Sequence, residues 1–462
     1  MTRHRPYTTA LLAVVFSVAP ACESALEVED PTVAAPGTVS TEAAVPTTLN
    51  AAVGAFQLAY SGAPGGGSFI DSQVTTSGIL SDELHISESF PTRIDVDQRE
   101  TRFDNGTMLQ AYARLHTARR LAEFSADLHA QFPATTNTAG HAHALALAGY
   151  TYVLFGENYC SGVPFSTFDA AGAVVYGDPL TTAQIFEQAI TLFDAAIAAA
   201  TAAGSAGGEI LNLARVGKGR AQLNLNLPAD AATSVAAVPT TFVYRIFHST
   251  GTARQNNGIW GANQNRRGVS ISDAEGVNGL TYRTDNDPRV RQQRGTGTSA
   301  FGFDNTTPLY LQLKYPAQTS SVILASGLEA RLIEAENQQR SGGAWLATLN
   351  ALRAAPPAYY SATDYPNIGT LTPLADPGGA ASVDVLFKER EYWLWLTSHR
   401  VGDLRRLMRQ YSRSEAQAGW PTGSYFRGGN YGAHVSMNVP FDELNNPAFS
   451  AAFPNGCDAT TP

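Results

Sequence analysis

Apolar residues at three- and four-residue spacing, in stretches that come two at a time and stop at Gly or Pro, constrain this chain more than any other feature. They call for helix pairs packed face to face. The spacing of Leu109, Tyr112, Leu115, Leu121, Phe124 and Leu128 predicts a helix over 108–132. Beyond Pro133 a second helix, 140–155, places small residues beside Tyr150, Tyr152 and Leu154. Thr181 and Thr182 can cap a helix over 183–203, whose stripe is Ile185, Phe186, Ala189, Ile190, Phe193 and Ile197. The glycines of 204–208 end it, and 210–225 is its partner. A third pair is predicted at 320–340 and 344–354, and a fourth at 383–396 and 400–411. The fold class that follows is mainly α, built of tetratricopeptide-like helix pairs, although the spacing is less even than a strict repeat of about 34 residues. Between the second and third pairs, 239–318 is rich in Gly, Asn, Thr and Arg, with short β-like segments at 242–247 and 309–313. An insertion of that length without a function of its own would be unusual.

The N-terminus reads as an export signal. Arg3, His4 and Arg5 precede an apolar run over 8–19 that ends at Ala19, Pro20 and Ala21. The run is shorter than the roughly 20 apolar residues that a bilayer core demands, so it targets the chain and does not span. Cys22 follows directly, at the first mature position, where bacteria attach lipid; Ala19 stands where a lipobox prefers Leu or Val. Cleavage that leaves Cys22 as a free thiol is the alternative. The expected organisation is therefore a signal peptide at 1–21, an acidic and then Pro-rich tether at 22–45, and one folded body at 46–462.

With 44% hydrophobic residues the body can bury a sizeable core, and a net charge of -9 works against binding nucleic acid. Once Cys22 is set aside, Cys160 and Cys457 remain. In an oxidising compartment they pair or stay apart as two thiols, and sequence alone does not decide between these.

The sequence offers no catalytic constellation. Asp82–Glu83 and Asp442–Glu443 are neighbours, whereas glycoside hydrolysis needs two carboxyls from separate elements, about 5–9.5 Å apart. His141 and His143, two apart on a helix, face different ways, so no metal site is expected. The segment 295–302 ends wrongly for a nucleophile elbow, and 62–67 lacks the Lys of a phosphate loop. No enzyme activity and no cofactor are expected.

Four motifs carry a family resemblance. Phe387-Lys388-Glu389-Arg390-Glu391-Tyr392-Trp393-Leu394, followed by His399-Arg400 and Gly402-Asp403-Leu404-Arg405-Arg406, resembles the C-terminal signature of SusD/RagB nutrient-binding lipoproteins. Leu328 to Glu336, with Asn350 and Arg353 after it, is similar to that family's acidic Ala-Glu-Ala helix. Gly156 to Pro164 resembles its exit from the second helix, lengthened here by Glu157 to Gly162, and Pro440 to Pro447 resembles its closing segment. The resemblance implies a SusD-like α-helical fold with a lipid anchor at the outer membrane. It also implies surface exposure, to which the acidic Glu27, Glu29 and Asp30 behind Cys22 add, and capture of an oligosaccharide or other nutrient for a SusC-type TonB-dependent transporter. An envelope scaffold of helical repeats that binds protein only is the alternative.

Within the signature, Glu389, Arg390, Arg400, Asp403, Arg405 and Arg406 are expected to brace the last helix pair through charge-assisted bonds. Sugar binding needs flat aromatic faces flanked by amides, carboxylates and guanidinium groups. Trp260, bracketed by Gly258 and Gly261 and accompanied by Asn256, Asn257, Asn263 and Gln264, meets that description best. Tyr282, Phe301 and Phe303 share its insertion, and Asp82, Phe90, Arg93 and Asp95 lie in the earlier loop 81–105.

Overall fold

The computed structural model describes residues 40–64, 70–133, 138–169, 172–360 and 368–462; the export signal, Cys22 and most of the expected tether lie outside them. A short 3-10 turn, Glu42–Ala44, leads into helix α1, Val45–Ser61, so the last residues assigned to the tether are helical. Helix α1, which the sequence analysis does not place, buries Val45, Phe56 and Tyr60 together with Thr48, Ala52, Ala55 and Ala59. Helix α2, Gln73–Leu80, is not placed either: every residue in it is buried, so no amphipathic period exists. Pro91–Asp97 forms α3.

The paired helices follow. Asn105 caps α4, Gly106–Gln131, accepting from the backbone N–H groups of Thr107 and Met108 at 2.9 and 3.2 Å. Helix α5, Thr138–Asn158, packs against it and against α6, Thr182–Ala202, which opens on a capping box between Thr181 and Gln184. On α6 the residues Ile185, Phe186, Ala189, Phe193, Ala196 and Ala200 are buried. Phe193 explains the glycines opposite: a Cβ on Gly149 would stand 2.8 Å from its ring, and one on Gly217 closer still. Gly149 lies on α5 and Gly217 on α7, Gly208–Asn224, so one ring lodges among three helices. Helix α8, Pro228–Val235, links α7 to α9, Gly327–Ser341, and α10, Trp345–Ala354, completes that pair.

One expected boundary is corrected here. The helix predicted from 320 begins only at Gly327; Val322–Ser326 is instead a strand, paired antiparallel with Val243–Ile246. Val322, Ile323, Leu324 and Ala325 are all buried, and an apolar run closed on both faces suits a strand as well as a helix turn. Ser326 ends the strand and caps α9, accepting from the N–H of Glu329.

The last pair is α11, Ala381–Leu394, and α12, Arg400–Tyr411. Buried ion pairs hold it. Arg390 donates to both oxygens of Asp403 at 2.7 and 2.9 Å, while Arg406 grips Glu336 of α9 with both terminal nitrogens and reaches Asp403 at 2.7 Å. Glu389 accepts from Arg289 at 2.7 and 2.9 Å and from Arg353 at 2.6 Å. Arg405 instead donates to the carbonyl oxygens of Gly156, Glu157 and Tyr159, closing the C-terminal end of α5. Arg400 turns the other way, to the carbonyl of Ser81 at 2.6 Å and to Glu391 at 3.0 Å. The backbone N–H of Leu396, in the turn between α11 and α12, donates to Glu83 at 2.6 Å. The loop that follows α2 is thus fixed to the end of the chain.

Cys160 and Cys457 form a disulfide, with Cα atoms 6.0 Å apart and a sequence separation of 297. It sits beside a backbone bond from the N–H of Cys160 to the carbonyl of Met437, which draws the C-terminal segment onto the end of α5.

Candidate functional site

Three loops meet on one side of the helical framework. Leu84–Ile86 pairs antiparallel with Val269–Ile271, so the segment after α2 lies against the long insertion. The N–H of Phe303 donates to the carbonyl of Arg267 at 2.8 Å, and that of Asp304 to the carbonyl of Ser87 at 3.1 Å. From the C-terminal segment, Arg427 donates to the carbonyl of Ile86 at 2.9 Å and to Asp304 at 2.7 Å. Phe90, Phe301, Phe303 and Phe426 stand on these loops, each between 43 and 45% exposed. These four rings stand on loops joined by the bonds just described, and they are the candidate binding platform.

Guanidinium groups back the rings. That of Arg266 lies between Phe90 and Phe303, 5.2 and 4.6 Å from their centroids, and that of Arg93 lies 4.9 Å from Phe90. Both are tied to Glu88, whose side chain is wholly enclosed: Arg266 donates to one oxygen at 2.8 Å and Arg93 to the other. Arg294 lies 5.7 Å from Phe301, and Arg427 5.2 Å from Phe426.

Beneath the platform the carboxyls divide by their surroundings. Burial raises Asp304, but the hydroxyl of Thr307, the N–H groups of Thr306 and Thr307, and Arg427 outweigh it and hold the carboxyl at about 2. Asp97 is pushed up to about 7 by burial, against the opposing pull of His85, the N–H of Ile86 and the hydroxyl of Tyr425. Asp82 is raised well above the carboxylate range, by burial first and then by Glu275. Among the described residues no three His, Cys, Asp or Glu side chains are grouped to hold a metal ion. The exposed chemistry is flat apolar faces framed by cations.

No family model matches the chain, and no curated protein matches it. Solved structures do. A SusD-like protein from Bacteroides thetaiotaomicron superimposes with a TM-score of 0.63 at 13% identity, over 90% of this chain and 97% of that one. A SusD/RagB family protein from the same organism gives 0.61 at 16% identity, over 88% and 96%. The surface glycan-binding protein A of Bacteroides uniformis gives 0.59 at 13% identity, over 88% and 98%. The fold is SusD/RagB.

Within this SusD-like fold the expected ligand residues part company. Phe301, Phe303 and Arg93 belong to the platform, together with Phe90. Asp95, half-buried on α3, faces Arg102 at 4.0 Å instead. Tyr282 is a correction: it is fully buried, with its hydroxyl on Glu391 and the Arg400 guanidinium 5.7 Å from its ring. Asp82 is likewise buried and not presented to a ligand.

The Trp260 cluster is corrected as well. Residues 258–265 are helical, not an open loop, and Trp260 is half-buried. Gly258 serves a close approach, because a Cβ there would stand 2.5 Å from the carbonyl carbon of Gly62. The amides are spent on the framework. Asn257 caps this turn and donates to the carbonyl of Ser320, while Asn263 bonds Val269, Tyr310 and Gln312, and Gln264 bonds Gln312.

Glu88, Arg266, Arg294, Phe426 and Arg427 are not among the residues expected from sequence. Phe426 had a signal in Tyr425-Phe426-Arg427-Gly428-Gly429, an aromatic pair beside glycines. The arginines had none, since nothing local tells a guanidinium under a ring from one in water.

Proposed function

We propose that the protein is a surface nutrient-binding lipoprotein that holds glycan on the platform of Phe90, Phe301, Phe303 and Phe426 and passes it to a SusC-type TonB-dependent transporter. The observation that carries this reading is the platform itself, four exposed rings gathered from three distant loops and backed by arginine. Pyranose rings offer C–H faces that stack on such surfaces, and the guanidinium edges supply donors for hydroxyl oxygens. The fold supports the reading, since the surface glycan-binding protein A of Bacteroides uniformis shares it. Cys22 carries the lipid, and the acidic tether behind it gives reach from the outer membrane.

The test is affinity electrophoresis of the purified protein against a panel of plant, microbial and animal polysaccharides. At least one should retard the protein, and Phe303→Ala should weaken that binding by about 1–3 kcal/mol, as loss of a stacking ring does elsewhere. A folded protein that ignores every glycan and peptide offered, with and without the transporter, would return the chain to the protein-binding scaffold reading. For the anchor, cells fed radiolabelled palmitate should label the wild-type protein and not Cys22→Ser; equal labelling of the two would place the lipid elsewhere.

A further inference from the structure

The platform carries more positive charge than its own carboxylates neutralise. Arg93 and Arg266 share the single carboxylate of Glu88, and Arg427 is matched by Asp304. Asp71, buried behind Glu88, has Arg114 as its larger neighbouring charge. Arg267 and Arg294 are different. Arg267 donates to the carbonyl oxygens of Thr298 and Phe301, and Arg294 to those of Gly295, Ala300 and Leu309. Carbonyl oxygens satisfy the N–H groups but leave the charge, and neither arginine forms a salt bridge among the described residues. Arg267 and Arg294 thus bring two guanidinium charges that no salt bridge among the described residues matches, on a chain whose net charge is -9.

Such an excess is expensive to hold. Like charges gathered on one face repel. A ligand that brings negative charge relieves the repulsion, and guanidinium matches carboxylate and sulfate with a two-pronged fork. We propose that the platform is built for an anionic glycan, a chain whose sugar rings lie on Phe90 and Phe303 while carboxylate or sulfate substituents meet Arg267 and Arg294. This rests on the platform being the glycan site. Uronate and sulfate share the chemistry named here, and separate arms of the test tell them apart.

The experiment titrates the full chain with four polymers in two pairs: polygalacturonate against its fully methyl-esterified form, and dextran sulfate against dextran. Each pair keeps the backbone and changes the charge. Within at least one pair the anionic member should bind about tenfold tighter or more. That preference should shrink between about 50 and about 500 mM NaCl, as screening shortens the reach of the charges. The double variant Arg267→Gln/Arg294→Gln should lose the preference, and Arg267→Lys/Arg294→Lys should keep most of it, with thermal melting confirming that both are folded. Equal affinity within both pairs overturns the inference, as does a preference that survives in the Gln variant or a failure of all four polymers to bind. Phe303→Ala separates the two readings. If neutral polymer binds as well as charged and Phe303→Ala weakens both, the glycan platform stands and only its charge selectivity falls; if charged polymer binds and Phe303→Ala changes nothing, the platform itself is wrong.

Discussion

Exposure is decided by residues that sequence does not place next to one another. Tyr282 and Phe303 belong to the same insertion and carry equally flat rings, yet one lies fully buried under Arg400 and the other stands in solvent over Arg266. Asp97 shows what burial does to a single carboxyl. Its oxygen accepts from the N–H of Ile86 at 2.9 Å and from the hydroxyl of Tyr425 at 2.8 Å, and its folded value is about 7. The unfolded chain would release that proton near about 3.9, so the folded state holds it across the interval between. The stabilisation is therefore complete below the lower value and is lost as pH climbs to the upper one. Asp97→Asn, which resembles the protonated form, should flatten the fall in melting temperature between pH values of about 4 and about 7, an effect of a few kcal/mol at most. Melting curves of the variant that decline as steeply as those of the wild type would refute this assignment.

Among the elements, some boundaries are written in amphipathic contrast and others are not. Arg400 and Tyr411 frame a strongly two-sided stretch that bounds α12, whereas α2 is buried all round and shows no contrast to read. The strand at Val322–Ser326 falls inside the predicted helix because its residues are uniformly buried and show no period of either kind. The signature of α11 and α12 also acts at this scale: Arg406 joins α12 to Glu336 on α9 and to Asp403. Arg406→Met should destabilise the protein by about 3–5 kcal/mol, because it leaves Glu336 without its closest cation. Arg406→Met combined with Glu336→Met should recover part of that loss, since it removes both buried charges. Urea midpoints of the two variants check the order, and a double variant weaker than the single one would contradict it.

Across the whole molecule, the order of the helix pairs was legible from local periodicity, but the meeting of loops 84–90, 266–304 and 425–427 was not, because it depends on contacts between residues hundreds of positions apart. The Cys160–Cys457 bond works at that range too. Reduction should lower the unfolding free energy by about 2–4 kcal/mol, measured as a shift in urea midpoint with and without dithiothreitol. A midpoint indifferent to reduction would mean that the backbone bonds beside the disulfide suffice. The same bond makes a closed circle of residues 160–457. A protease that cuts once anywhere between Cys160 and Cys457 opens this circle without releasing a piece. On a gel run without reductant the nicked protein stays one band, so a single cut leaves one covalent body.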